Sequence, residues 1–254
     1  AQGFCRAAGR ENFNPEVGFV RRGNLAQYNS EIAWLPQLQG NDLIRNLTFR
    51  VTNEYIEGST SEDIETRAHI AQSGVQFENS ASLNFTAARI FDRLTNPTRI
   101  RGIEIPQGDY AYQRYTANAR TNNNLKVSGS VLYQWGEFWD GNLKSFRGTL
   151  ALKPNQHFSV DFNYDRNSLN LSGETTDSDL VGARFFYAFT SRVFLNAFFQ
   201  YNGASDEVSS NIRFNWKYRP LSDIYIVYND QRSFQGNEPL ERAFIVKFTR
   251  LLNF

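Results

Sequence analysis

Two histidines, one cysteine and scattered carboxylates hold whatever nucleophilic or metal chemistry this sequence could perform. His157 is followed by Ser159 and Asp161 at i+2 and i+4, positions that an extended strand places on one face, where a hydrolase could draw on a His with Ser or Asp. Such spacings recur by chance in any strand-rich chain, and the competing reading is a solvated histidine beside a turn. His69 lies among Glu65 and Arg67, again on polar positions. Two histidines with dispersed carboxylates lack the ligand spacing of a zinc site. Asp177 and Asp179, and the segment from Asn202 to Glu207, could hold calcium weakly, although acidic loops are usually just solvated. Cys5 is alone, so no internal disulfide or redox pair can form. No catalytic residue, metal or cofactor is expected.

The remaining chemistry is electrostatic and depends on the elements that present it. The chain has 254 residues, a net charge of +1 and 15% aromatic side chains, 22 of them Phe. Its mean hydropathy is −0.52, and no stretch approaches the ~18 apolar residues of a membrane helix. Without a basic arm or a large charge excess, nucleic acid is an unexpected partner. Methionine is absent, and the Ala-Gln opening suits signal-peptide cleavage or a cut from a longer chain.

Hydrophobic periodicity is 2 almost throughout. From Val208 to Tyr218, the residues Val208, Ile212, Phe214, Trp216 and Tyr218 share one face, and Asn211, Arg213, Asn215 and Lys217 the other. Phe244, Val246, Phe248, Leu252 and Phe254 repeat that pattern at the carboxyl end. The same reading predicts strands near residues 25–35, 43–55, 64–77, 83–91, 110–120, 125–137, 143–152, 158–165, 180–190, 193–201 and 224–228. A fourteenth strand, over Gln2 to Ala8, makes the number even. Several reach the length a tilted membrane crossing requires, roughly 9 to 11 residues, against the 5 or 6 usual in soluble sheets. Short links such as Asn79–Ser80 and Pro220–Ser222 alternate with long ones such as Asp92–Asp109, Ser168–Asp177 and Phe234–Leu240, as in outer-membrane barrels. The predicted fold is therefore a single all-β domain over residues 1–254: a closed antiparallel up-and-down transmembrane β-barrel of about 14 strands, 12 or 16 being the neighbouring possibilities.

In that frame Trp34, Trp135, Trp216 and Tyr218 fall near strand ends, as does Trp139, where rings with a polar edge suit the membrane interface. Phe254 is the terminal aromatic that the barrel assembly machinery would read. Parity turns Arg50, Arg67, Arg114, Arg120, Lys126, Arg147, Arg184, Arg192, Arg213, Lys217 and Lys247 inward, against Glu54, Glu65, Asp161 and Asp165. Basic rings in a pore favour anions. The alternative is that these cations pair with carboxylates or line a plugged interior.

The stretches Asn12-Phe13-Asn14-Pro15-Glu16-Val17-Gly18-Phe19-Val20-Arg21, Phe214-Asn215-Trp216-Lys217-Tyr218-Arg219-Pro220-Leu221-Ser222-Asp223 with Val227-Tyr228-Asn229, and Ile245-Val246-Lys247-Phe248-Thr249 resemble the carboxyl-terminal barrel of a widespread bacterial outer-membrane family of uncharacterised function. The resemblance covers nearly the whole chain. In that family the barrel commonly follows a family-nine-type carbohydrate-binding module, and no catalytic residues come with it.

These readings converge on a porin-like channel of the bacterial outer membrane that passes small hydrophilic, anionic solutes, with lipid and the barrel assembly machinery as partners. The alternatives are a non-conducting anchor or scaffold for a surface or periplasmic protein partner, and a barrel hydrolase using His157.

Overall fold

The computed structural model describes residues 2–8, 25–58, 64–236 and 239–251, with side chains from residue 26 onward. Every regular element among them is a strand. In chain order these are β1 (Gln2–Ala8), β2 (Leu25–Trp34), β3 (Ile44–Gly58), β4 (Ile64–Phe77), β5 (Ser82–Leu94), β6 (Thr98–Ile100), β7 (Ile103–Ile105) and β8 (Gly108–Arg120). They continue with β9 (Val127–Phe138), β10 (Gly141–Asn155), β11 (Phe158–Leu171), β12 (Glu174–Thr190), β13 (Val193–Asn202), β14 (Glu207–Arg219), β15 (Ser222–Ser233) and β16 (Pro239–Thr249). Fourteen strands form one sheet in which each pairs with its neighbour in the chain, and β6 with β7 forms a separate hairpin between β5 and β8. Every described ladder is antiparallel, for example β2 with β3 and β13 with β14. No described helix is long and apolar enough to cross a membrane, which bears on helices alone.

Turn chemistry explains where the strands stop. Ser172 and Gly173 both have positive φ (49° and 80°), the pair of conformations that a two-residue type I′ hairpin requires. The polar segment 168–177, expected to be a long loop, is consequently the paired ends of β11 and β12. At the opposite ends of the strands, Arg219 pairs with Ser222 across Pro220–Leu221. Proline presets φ at the first corner, and Leu221 takes a φ of 54° at the second, where a type II turn favours glycine.

Contacts divide the chain into two compact units. The first comprises residues 1–119, 133–144 and 168–176, the second residues 120–132, 145–167 and 177–254. In the first unit, Leu47, Phe49, Val51 and Tyr55 share one face of β3, as their two-residue spacing dictates. The ladders set Trp34 and Ile32 of β2 opposite Phe49 and Val51, and Leu83 of β5 opposite Val75 of β4. Rings contact one another along this face: Trp34 stacks on Phe49, Phe85 stacks on Tyr115, and Phe85 lies tilted against Trp135. Many of these side chains are exposed, Ile32 at 68%.

A dry core lies on the opposite face of the same unit. Leu94, Ile103, Ile105, Leu169 and Leu171 are buried together, with Ile100, Tyr110, Phe138, Trp139 and Leu143 packed around them. The β6–β7 hairpin thus occupies what was expected to be the long loop from Asp92 to Asp109, with Arg99 paired to Glu104 at 2.8 Å. Trp139 belongs to this core rather than to a membrane interface, and its indole N–H donates to Asp92 Oδ2 at 3.2 Å. Tyr112 donates to the same oxygen at 2.7 Å, and Thr66 to Oδ1 at 2.9 Å.

Backbones approach closely at Gly136 of β9. Gly136 has a φ of 133°, and a Cβ there would collide with the Gln113 carbonyl oxygen. Changing Gly136→Ala therefore combines a backbone conformation reserved for glycine with overpacking, and is expected to cost about 1–3 kcal/mol. The thermal unfolding midpoint of the purified protein in detergent reads this directly.

In the second unit, Trp216, Phe214 and Ile212 of β14 face Ile224, Ile226 and Tyr228 of β15, which face Phe248, Val246 and Phe244 of β16. On the other side of β14, Phe214 opposes Leu195 of β13, which opposes Tyr187 of β12. This apolar face is open, with Phe248 62% and Phe244 69% exposed. It ends in charge: Asp230 opposes Arg242 and accepts hydrogen bonds from both Arg242 and Arg232.

Candidate functional site: a basic sheet face

Alternation places the polar residues of β14 at Asn211, Arg213, Asn215 and Lys217, on the side away from Phe214 and Trp216. The ladders extend that face to Tyr225 and Val227 of β15, opposite Asn215 and Arg213, and to Lys247 and Ile245 of β16. There the second unit forms a cavity of about 920 Å³ near the Pro220–Leu221 turn. Arg192, Arg213, Lys217, Arg219 and Lys247 line it together with a single acid, Asp223. None of the five cations has a carboxylate within ion-pair distance among the described residues. The Lys217 ammonium lies 5.5 Å from the centre of the Phe194 ring, which opposes Asn215 from β13.

The other expected inward cations fall into distinct environments. Arg184, on this face of β12, sits 5.4 Å over Phe198. Arg147 of β10 is paired with Asp165. In the first unit, Arg50 pairs with Glu31 at 3.4 Å, and Glu54 accepts a hydrogen bond from Gln27 at 2.6 Å. Arg114 lies 4.9 Å from the Phe138 ring and 5.3 Å from Tyr112, at the edge of the hairpin core. Lys126 is in the turn ahead of β9, where its carbonyl accepts from the Lys153 amide at 2.7 Å.

Arg67 is on the apolar face, contrary to the parity assignment. The ladders set it opposite Tyr55 and Phe91, and its guanidinium lies 5.5 Å over the Phe91 ring. Glu65 is the extra residue at the register shift between β3 and β4, where Thr66 opposes Ile56 and Ile64 opposes Glu57. The physical cause is register: Phe49 and Val51 of β3 and Leu83 and Phe85 of β5 hold the odd positions of β4 on their side, and the small Ala68 turns to the other. His69 shares the apolar side, where Ser30, Asn53, His69 and Arg89 make one polar row across four strands. Its Nδ1 is 2.7 Å from Asn53 Oδ1.

Of the expected interface aromatics, Trp34 stacks on Phe49, Trp135 on Tyr115, and Tyr218 on Phe248 at 5.6 Å. Trp216 packs edge-on against Tyr218. Phe254 lies outside the described residues, as do 9–24, which carry the first stretch of the family resemblance. The His157 ring meets the Ala188 carbonyl at 3.2 Å and Gln156, while Ser159 and Asp161 are not among its hydrogen-bond partners in the described residues. No group of three or more potential metal ligands occurs among the described residues.

Three features of the basic cavity escaped sequence reasoning. In the sequence Leu221 is only part of a short link, and Tyr225, Val227 and Ile245 of the cavity wall break the polar-apolar alternation. Asn215, between the cavity residues Arg213 and Lys217, is on the polar face as expected, but nothing in the sequence marks its complete burial.

No protein family and no curated protein matches the sequence. Among solved structures, the chain is similar to a triple mutant of the Rh. blastica porin, with 10% identity over 89% of each chain and a TM-score of 0.30.

Proposed function

We propose that the chain is an outer-membrane β-barrel that passes small anionic solutes, its fourteen-stranded sheet closing by pairing β1 with β16. The observation that carries this reading is the difference in character between the two sheet faces of the second unit: exposed rings and aliphatics on one, and on the other a cavity lined by five cations without carboxylate partners. Contiguous apolar surface of this extent is foreign to a water-soluble monomer. Along β12 the apolar positions run from Phe189 to Val181 before Asp179, which at a 40° tilt is about 20 Å of height, close to the ~25 Å band of an outer-membrane barrel. Closure would also remove two long sheet edges that otherwise invite aggregation. The basic face would then line the lumen, and a charge excess within a low-dielectric wall concentrates counter-ions.

Recording in planar bilayers tests the proposal. Discrete conductance steps and an anion-selective reversal potential under a salt gradient are expected. Selectivity should fade as salt rises, because the screening length drops from ~8 Å at physiological salt to ~3 Å at 1 M. Cation preference in the unmodified protein would overturn the anion assignment.

The β6–β7 core favours a second reading, a membrane anchor or scaffold that holds a surface or periplasmic partner and conducts little. Absence of discrete steps from protein shown to be folded and inserted would select it.

A further inference from the structure

The basic cavity of the second unit has properties that a plain aqueous passage does not need. Its wall is amphipathic: beside the cations stand Tyr225, Val227, Ile245 and Leu221. Sites for small organic ligands combine apolar walls with a few convergent polar groups, in volumes of about 300–1,000 Å³. The amide of Asn215, flanked on β14 by the cavity residues Arg213 and Lys217, is 0% exposed, and both its side-chain polar atoms lack a protein partner. A buried amide without partners is costly, because its polar atoms give up water and gain nothing in exchange. Leu221 adds a third observation. It is 78% exposed and held at a φ of 54°, so the turn bears an unfavourable conformation while presenting an apolar side chain to the cavity. Strain retained in this way marks sites where it serves a purpose.

We propose that this cavity binds an organic oxyanion carried on an apolar body, a phosphate monoester or a carboxylate. Arg213, Lys217 and Lys247 hold the charged head, and Leu221, Tyr225, Val227 and Ile245 hold the body. Guanidinium groups suit this role because their fork of donors matches the planar or tetrahedral oxygens of such heads. The inference rests on the reading of this face as the solvent-filled interior, and it narrows the class of anion that lingers there.

Equilibrium binding to the full chain in neutral phosphatidylcholine nanodiscs, followed by calorimetry, tests it. The probes are hexyl phosphate, hexanoate, inorganic phosphate and hexanol. Saturable binding of hexyl phosphate or hexanoate, at least tenfold tighter than inorganic phosphate and hexanol, is the expected result, and whichever of the two is tighter identifies the head group. The pair Arg213→Gln and Lys247→Gln should weaken binding of the preferred probe at least tenfold, whereas Lys247→Arg, which keeps the charge, should retain it. Leu221→Gly relieves the turn and should erode the advantage of the alkyl probe several-fold while leaving inorganic phosphate unchanged. Hexanol binding as tightly as the anions, no saturable binding to protein with an unaltered unfolding midpoint, or binding indifferent to both charge substitutions would overturn the site. Anion selectivity in bilayers alongside absent binding would remove the site and leave the channel. Binding alongside absent conductance would remove the channel and leave the site.

Discussion

Phe214→Arg is expected to abolish or severely impair insertion, whereas Arg213→Gln one residue away folds normally. Phe214 stands in the middle of the apolar face, opposite Leu195 on one side and Ile226 on the other. If that face meets hydrocarbon, a guanidinium there costs about 2–4 kcal/mol near the midplane and progressively less toward either rim. Arg213 points to the basic cavity, where loss of one charge removes no ion pair. Folding into liposomes, followed by protease protection and by the unfolding midpoint, distinguishes the two. Equal tolerance of both substitutions would exclude a lipid-facing role for Phe214.

Charge reversal at Arg213 and Lys217 is expected to have the largest effect on conduction. Changing both to Glu moves the cavity from five cations and one carboxylate to an even balance, since Arg192, Arg219 and Lys247 then stand against three acids. The reversal potential under a salt gradient should shift toward cations, and the shift should be largest at low salt, where exposed charges act over the longest range. Because neither side chain has an acidic partner, folding should be spared. An unchanged reversal potential in a conducting, folded channel would place these residues outside the ion path. The pair at Arg147 and Asp165 is the natural control, since there the protein already neutralises its own cation.

Strand positions were legible because alternation is a local property. The predicted strand from Val208 to Tyr218 corresponds to β14 over Glu207–Arg219, and that from Ile64 to Phe77 to β4 with the same bounds. Which way a strand faces is less local. In β4, small Ala68 and Ala71 fall on opposite faces, so hydrophobicity alone could not orient Arg67, and the decision passed to Phe49 and Phe85 on neighbouring strands. The β6–β7 hairpin was hidden for a different reason: strands of three residues are too short to display a period. Alternation of Ile103 and Ile105 about Glu104 was nevertheless present in the loop. At the cavity, the cations were visible as residue types, but the apolar wall was not. Tyr225 and Val227 looked like part of an unbroken apolar run, Ile224 to Tyr228, whose two sides serve different surroundings.

The uninterrupted neighbour order of the fourteen strands also has a kinetic meaning. Each hairpin can form from segments adjacent in the chain, at small loop-closure cost, with β6 and β7 as the one intervening pair. A partly formed sheet would therefore grow by local steps yet carry two unpaired edges until its first and last strands meet. If the sheet closes as proposed, joining β1 to β16 would close the longest loop in the molecule, and on a logarithmic scale this would cost about 5 kcal/mol in chain entropy. That final step would be the slow and vulnerable one, when the open edges are most apt to pair with another copy, and a catalyst of assembly would act most usefully by holding those two strands close together.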